Sequence, residues 1–195
     1  MHAFDIGTEP IRLSKLSNGK PVIEATSISK IGYSRSHARV SVGGPTAVAV
    51  IEGRDIGLDI EPWPLKDADP DFLKSIASPE DSKVLSVLSL GGHDAGVALW
   101  VIKEAALKCT GEVMIDPRDL CVSKKQHGIF QVTSSGRARA PHPDIDVRLI
   151  NLSSHSNNKP KLLVGIALGK NGHVENGLIR KVELIDREWS LILFK

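Results

Sequence analysis

Between residues 46 and 61 the chain carries two short apolar stretches of strand character, Thr46–Ile51 and Ile56–Glu61, around the turn-like Glu52-Gly53-Arg54-Asp55. That pattern predicts a β-hairpin. In the second stretch the alternation is strict. Ile56, Leu58 and Ile60 share one face, while Gly57, Asp59 and Glu61 share the other. Pro62-Trp63-Pro64 is expected to stop the strand, because proline cannot extend a central ladder. A loop over 67–71, a short helix over 72–77 and a second helix starting near Ser78-Pro79-Glu80, with serine as cap, come next. Gly91-Gly92-His93-Asp94 breaks the chain before a proline-free stretch, Ala95–Cys109, which reads as a helix with Asp94 as cap and Gly111 as stop. Beyond it the strand pattern returns at 120–123, 128–133, 146–152 and 161–168, which suggests a second sheet. Ser153-Ser154-His155-Ser156 ahead of Leu162–Leu168 faintly echoes Ser36-His37 ahead of Ala47–Ile51, with His155 read as a loop residue.

The chemistry sits on the predicted strand and helix. Residues two apart on a strand lie about 7 Å apart, so Asp59 and Glu61 can both reach one cation and leave room for water or substrate oxygens. On the helix, Glu104 and Lys108 are four apart and share a face. Taken singly, each pattern is ordinary: acids on a strand are usually a solvated face, and a Glu–Lys pair is usually an exposed helix pair of about 0.2–0.5 kcal/mol. Together they supply three carboxylates and a lysine suited to holding a divalent cation against a phosphate.

The order of these elements resembles a family. Gly57-Leu58-Asp59-Ile60-Glu61 followed by Trp100-Val101-Ile102-Lys103-Glu104-Ala105-Ala106-Leu107-Lys108 looks like the signature pair of the 4′-phosphopantetheinyl transferases, of the Sfp type. Asn18-Gly19-Lys20-Pro21 resembles the family's Gly-Lys-Pro element, and Ser34-Arg35-Ser36-His37-Ala38 its Ser-His element. Trp100 and the Asp-Ile-Glu run favour the Sfp type over the shorter holo-acyl-carrier-protein synthase type. The segment Ile76–Val84 also resembles the stretch between the signatures, and the likeness spans roughly residues 18 to 168.

The resemblance implies an α+β fold of two similar lobes related by a pseudo-twofold, with the first lobe abbreviated. It would comprise an N-terminal lobe over 1–66 carrying the metal-binding strand and a C-terminal lobe over 67–195 carrying the Trp-x-x-Lys-Glu helix, in one compact catalytic unit. It implies transfer of the phosphopantetheine arm of coenzyme A to a carrier-protein serine, with release of 3′,5′-ADP. Asp59, Glu61 and Glu104 would hold Mg²⁺, and Glu104 is also a candidate general base. Lys108 would bind a phosphate oxygen, for which it must leave its helical pairing with Glu104. His37 would contact the pyrophosphate, Ser36 would lie near the nucleotide, and Gly19 and Lys20 would meet the adenine end. Asn-Gly-Lys-Pro is also what a tight turn looks like. Lys103 reads as a solvated side chain or as one that approaches the carrier. Sfp-type chains carry a longer N-terminal lobe with a basic helix for the 3′-phosphate. Here 18 residues precede Gly19, with Arg12 and Lys15 their basic side chains, and Arg35 and Arg39 are candidate substitutes.

Composition narrows the alternatives. At 195 residues, 41% hydrophobic and 25% charged, the chain is an ordinary globular sequence, with no apolar run of membrane-spanning length. No signal-peptide pattern opens it, so the cytoplasm is the expected location. Cys109 and Cys121 lack metal-site spacing and read as free thiols. Residues 1–117 hold 12 Lys/Arg and 16 Asp/Glu, a balance of −4, whereas residues 118–195 hold 13 and 7, a balance of +6. The basic half, with Lys124-Lys125 and Arg137-Ala138-Arg139, suits steering of an acidic carrier. Nucleic acid is a poor fit without a basic-aromatic run. Two other readings stand beside the transferase: a non-catalytic binder of coenzyme A or a carrier, and an unrelated metal-dependent phosphohydrolase, which leaves Trp100 and Ser36-His37 unexplained.

Overall fold

The computed structural model describes residues 12–24, 31–38, 46–52, 54–63, 71–88, 92–112, 114–126, 128–152, 161–169 and 190–193. His155 and Arg39 lie outside them. Among the described residues are ten strands, β1 (Arg12–Lys15), β2 (Pro21–Glu24), β3 (Ile31–His37), β4 (Thr46–Glu52), β5 (Ile56–Trp63), β6 (Leu120–Gln126), β7 (Ile129–Ser134), β8 (Ile145–Leu152), β9 (Lys161–Leu168) and β10 (Ser190–Leu193). The helices are α1 (Phe72–Ile76), α2 (Ser82–Leu88) and the long α3 (Gly92–Thr110). The fold is mixed α/β with two five-stranded sheets, ordered β1-β2-β3-β4-β10 and β5-β9-β8-β7-β6. No helix among the described residues is long and apolar enough to cross a membrane.

The expected β4–β5 hairpin does not form. β4 pairs with β3 and, in parallel, with β10, whereas β5 pairs antiparallel with β9 in the other sheet. The two strands start where predicted and run one and two residues further, but they part company: β4 pairs along its whole length with β3, and β5 along its whole length with β9. β5 thus joins the sheet built from the C-terminal strands, and β10 returns to the first sheet, so the sheets do not divide at residue 66.

The alternation of β5 explains the layering. Ile56, Leu58 and Ile60 are fully buried with Leu162, Val164 and Ile166 of β9, against Ala47, Ala49 and Ile51 of the first sheet. The opposite face, with Gly57 and Asp59, meets α3. A Cβ on Gly57 would lie 1.9 Å from the Ala105 carbonyl oxygen, and one on Gly165, which pairs with Asp59, 2.7 Å from that of Val101. Absent side chains at these two positions let the helix backbone settle directly on the sheet. The helix answers with small residues, Ala98, Ala105 and Cys109, all buried. Further across the same sheet, α3 packs with Leu120, Val122, Val132, Ile145 and Val147 in the larger core.

β5 is an edge strand, and β3 covers its open edge with side chains instead of a ladder. The Leu58 N–H donates to Ser34 Oγ at 2.8 Å and the Ile60 N–H to Ser36 Oγ at 3.3 Å. The buried face of β3 is accordingly small, with Gly32, Ser34 and Ser36. This arrangement also accommodates Pro62, which pairs with Leu162 inside β5 and does not end it. Its missing N–H falls on the same edge as those of Leu58 and Ile60, away from β9.

Other termini follow their local chemistry. Asp94 lies inside α3, not at its cap, because the helix already begins at Gly92. Gly111 ends it with φ +79°, and the N–H groups of Gly111 and Glu112 both close on the Leu107 carbonyl. Ser78 precedes a 3-10 turn, Pro79–Asp81, and its N–H donates to Asp81 Oδ2 at 2.7 Å, half of a capping box.

Candidate active site

Val97, Trp100, Glu104 and Lys108 recur every three or four residues and form one stripe along α3. The glycine-mediated approach of α3 to β5 sets this stripe beside Asp59 and Glu61. Together with Arg35, Ser36 and His37 from the end of β3, and Phe72 from α1, they line a cavity of about 600 Å3. The cavity has an apolar end and a charged end. Phe72 and Trp100 meet edge to face at the apolar end, with ring centroids 5.9 Å apart.

At the charged end Asp59 is buried at 3% exposure. Its Oδ1 accepts from Lys108 Nζ at 2.6 Å and from Ser36 Oγ at 2.9 Å, and Lys108 Nζ also reaches Ser36 Oγ at 3.2 Å. Asp59 Oδ2 has no hydrogen-bond partner. Burial pushes the Asp59 carboxyl above the usual carboxylate range, against the opposing pull of Lys108. Glu104 is also raised, first by burial and then by the Asp59 charge, with Lys108 again opposing. Lys108 therefore does not make the expected helical pair with Glu104. It reaches across to β5, where the buried Asp59 carboxylate accepts it together with Ser36, in place of the half-buried Glu104 one turn away.

The three acids face one cavity without forming a closed ligand set. Among the described residues, no three His, Cys, Asp or Glu side chains gather closely enough to hold a metal ion as they stand. Their chemistry nevertheless suits a hard divalent cation: all donors are carboxylate oxygens, and one of them is buried without a partner.

A family model described as the 4′-phosphopantetheinyl transferase superfamily matches residues 55–160, more than half of the chain. The chain belongs to that superfamily. None of the curated proteins matches it. The matched stretch includes Asp59, Glu61, Glu104 and Lys108, and the superfamily supports transfer of phosphopantetheine, with coenzyme A and carrier proteins as its general partners.

In this phosphopantetheinyl transferase superfamily member Gly19 and Lys20 are not among the residues lining the cavity. Gly19, at φ +83°, makes the tight turn between β1 and β2. Lys20 is buried, and its Nζ donates to Asp55 Oδ1 at 2.7 Å and to the Cys109 carbonyl oxygen. A cation on one of the last carbonyls of α3 is a C-terminal cap. Asn18 packs on Gly111, where a Cβ would lie 2.4 Å from its Nδ2. The turn therefore secures the end of the helix that carries Glu104 and Lys108.

Lys103 is the larger correction. It is fully buried, neither solvated nor facing a partner. Its Nζ donates to Asp81 Oδ2 at 2.7 Å and to the carbonyls of Ile76, Pro117 and Leu120 at 2.8–2.9 Å. Asp81 Oδ1 accepts from the Val122 N–H at 2.7 Å. This hub ties α3 to α1 and so fixes the Phe72 wall of the cavity. Nothing in the sequence alone marks Phe72 or Val97 for the cavity, and Pro79 two residues before an acid is the available sign for the Asp81 hub.

Proposed function

We propose that the protein moves the 4′-phosphopantetheine arm of coenzyme A to a serine hydroxyl of an acidic acyl or peptidyl carrier protein, with Mg²⁺, releasing 3′,5′-ADP. The observation that carries this is the single cavity in which Asp59, Glu61, Glu104 and Lys108 meet Ser36 and His37, in a chain of this superfamily. Asp59, Glu61 and Glu104 would hold the cation, whose chemistry is to neutralise the pyrophosphate as its anhydride bond breaks. Phosphoryl transfer asks the protein mainly for positioning and charge.

The residues divide that work. Lys108 offers an ammonium to a phosphate oxygen, and His37, exposed at the rim on β3, contacts the pyrophosphate. Glu104 takes the proton of the attacking serine, a role that its raised pKa favours by bringing the carboxylate nearer to working pH. Ser36, whose hydroxyl already serves Asp59, Ile60 and Lys108, orients the acid and does not contact the nucleotide. Gly19 and Lys20 act through the end of α3. Trp100 supports the Sfp type, and the two five-stranded sheets are compatible with two lobes about a pseudo-twofold. Exposed Lys124 and Arg139 suit an acidic carrier.

The test is intact-mass analysis of a panel of apo carriers incubated with the protein, coenzyme A and Mg²⁺. One phosphopantetheine per carrier is expected on at least one of them. Coenzyme A binding with no addition to any carrier would instead indicate a non-catalytic binder, and release of phosphate without a carrier would indicate a hydrolase.

A further inference from the structure

We propose that Lys108 is the resident counter-ion of the acid cluster, so that its ammonium and a divalent cation compete for Asp59. The inference rests on the metal-dependent reading above and adds a coupling that reading does not contain. Asp59 is almost wholly withdrawn from solvent, with 4% of its side chain exposed, so its charge needs a partner inside the protein. Lys108 supplies it at 2.6 Å, and Ser36 adds a second donor to the same oxygen. Both side-chain donors therefore crowd Oδ1, while Oδ2 is left without a partner.

A cation drawn to Oδ2 meets the ammonium on the other oxygen of the same carboxylate, and like charges at that range repel strongly in a desolvated site. Lys108 is able to yield. Its side chain is 28% exposed, it lines the cavity, and its four methylenes can swing the ammonium along the stripe of α3. Once displaced, it needs a new anion, and a phosphate oxygen in the cavity provides one. Cation and phosphate thus favour each other's binding through this one side chain, since whatever draws Lys108 outward frees Asp59.

Calorimetry with MgCl2 alone, without nucleotide, on wild type, Lys108→Met and Asp59→Asn tests this. Lys108→Met is expected to bind Mg²⁺ about tenfold more tightly than wild type, and Asp59→Asn to lose binding. On the unmutated protein, an amine-reactive reagent read by peptide mass spectrometry should modify Lys108 several-fold faster in saturating Mg²⁺. If wild type binds Mg²⁺ and Lys108→Met binds it no more tightly, or Lys108 labelling does not rise, the counter-ion proposal fails and the metal reading survives. If no form binds Mg²⁺, both fail.

Discussion

Two lysines on α3, five residues apart, each bond an aspartate at 2.6–2.7 Å, yet one serves the fold and the other serves the cavity. Around Lys103 and Asp81 the charged groups are matched: the ammonium faces three carbonyls and a carboxylate, and both carboxylate oxygens accept. Around Lys108 and Asp59 one carboxylate oxygen is left over, and the pair borders a cavity. The hydrogen bonds are equally short. What separates a buttress from a site is whether the acceptors are complete.

The contrast breaks most visibly under mutation. Lys103→Met should cost about 3–5 kcal/mol in urea unfolding, because it strands a buried Asp81. Lys108→Met should cost less, about 1–3 kcal/mol, since Asp59 keeps Ser36 and borders the cavity, while transfer falls by about a hundredfold or more. Similar stability losses for both would end the distinction.

The seating of α3 gives the next effect. Gly57→Ala places a Cβ 1.9 Å from the Ala105 carbonyl oxygen, so about 1–3 kcal/mol of stability should be lost and activity should fall as Glu104 and Lys108 shift. Gly96→Ala, on the same helix with its nearest neighbour at 3.5 Å, should be neutral or stabilising by up to about 1 kcal/mol. Thermal melts of the two side by side decide it.

Glu104→Gln separates the working acid from its surroundings. Turnover should drop more than coenzyme A affinity, because its proton is moved only in the transition state. The folded protein holds the Glu104 proton more tightly than the unfolded chain, so ionisation costs stability as pH rises through the ordinary value of 4.5. The Gln variant should therefore melt higher than wild type near neutral pH, and the gain should vanish below that value. The smallest effect distinguishes the two serines of β3. Ser34→Ala and Ser36→Ala should each lose about 1 kcal/mol with the β5 N–H they serve, but only Ser36→Ala should slow transfer.

Much of this was legible in the chain because it is local. β9 has its predicted boundaries, and β4, β5 and the core of α3 lie where period and punctuation place them. The alternation of β5 correctly separates Leu58 from Asp59, and Gly111 ends α3 through its own backbone conformation. Pairing was not legible: nothing in Thr46–Ile51 and Ile56–Glu61 says that each prefers a distant partner to the other, so a hairpin was the natural expectation. The fates of Lys103 and Lys20 were hidden for a similar reason. A lysine in sequence looks solvated, and only the assembled carbonyls of Ile76, Pro117, Leu120 and Cys109 make burial tolerable. Gly165 lies over a hundred residues from Gly57, and its part in seating α3 emerges only once β5 and β9 pair.

If the Asp59–Glu104–Lys108 cavity performs phosphopantetheine transfer, intact-mass analysis of one apo carrier treated with coenzyme A and Mg²⁺ will separate wild type from Asp59→Ala of matched melting temperature. Full conversion to the phosphopantetheinylated carrier is expected with wild type and none with the variant. Equal modification by both would contradict that role of the cavity.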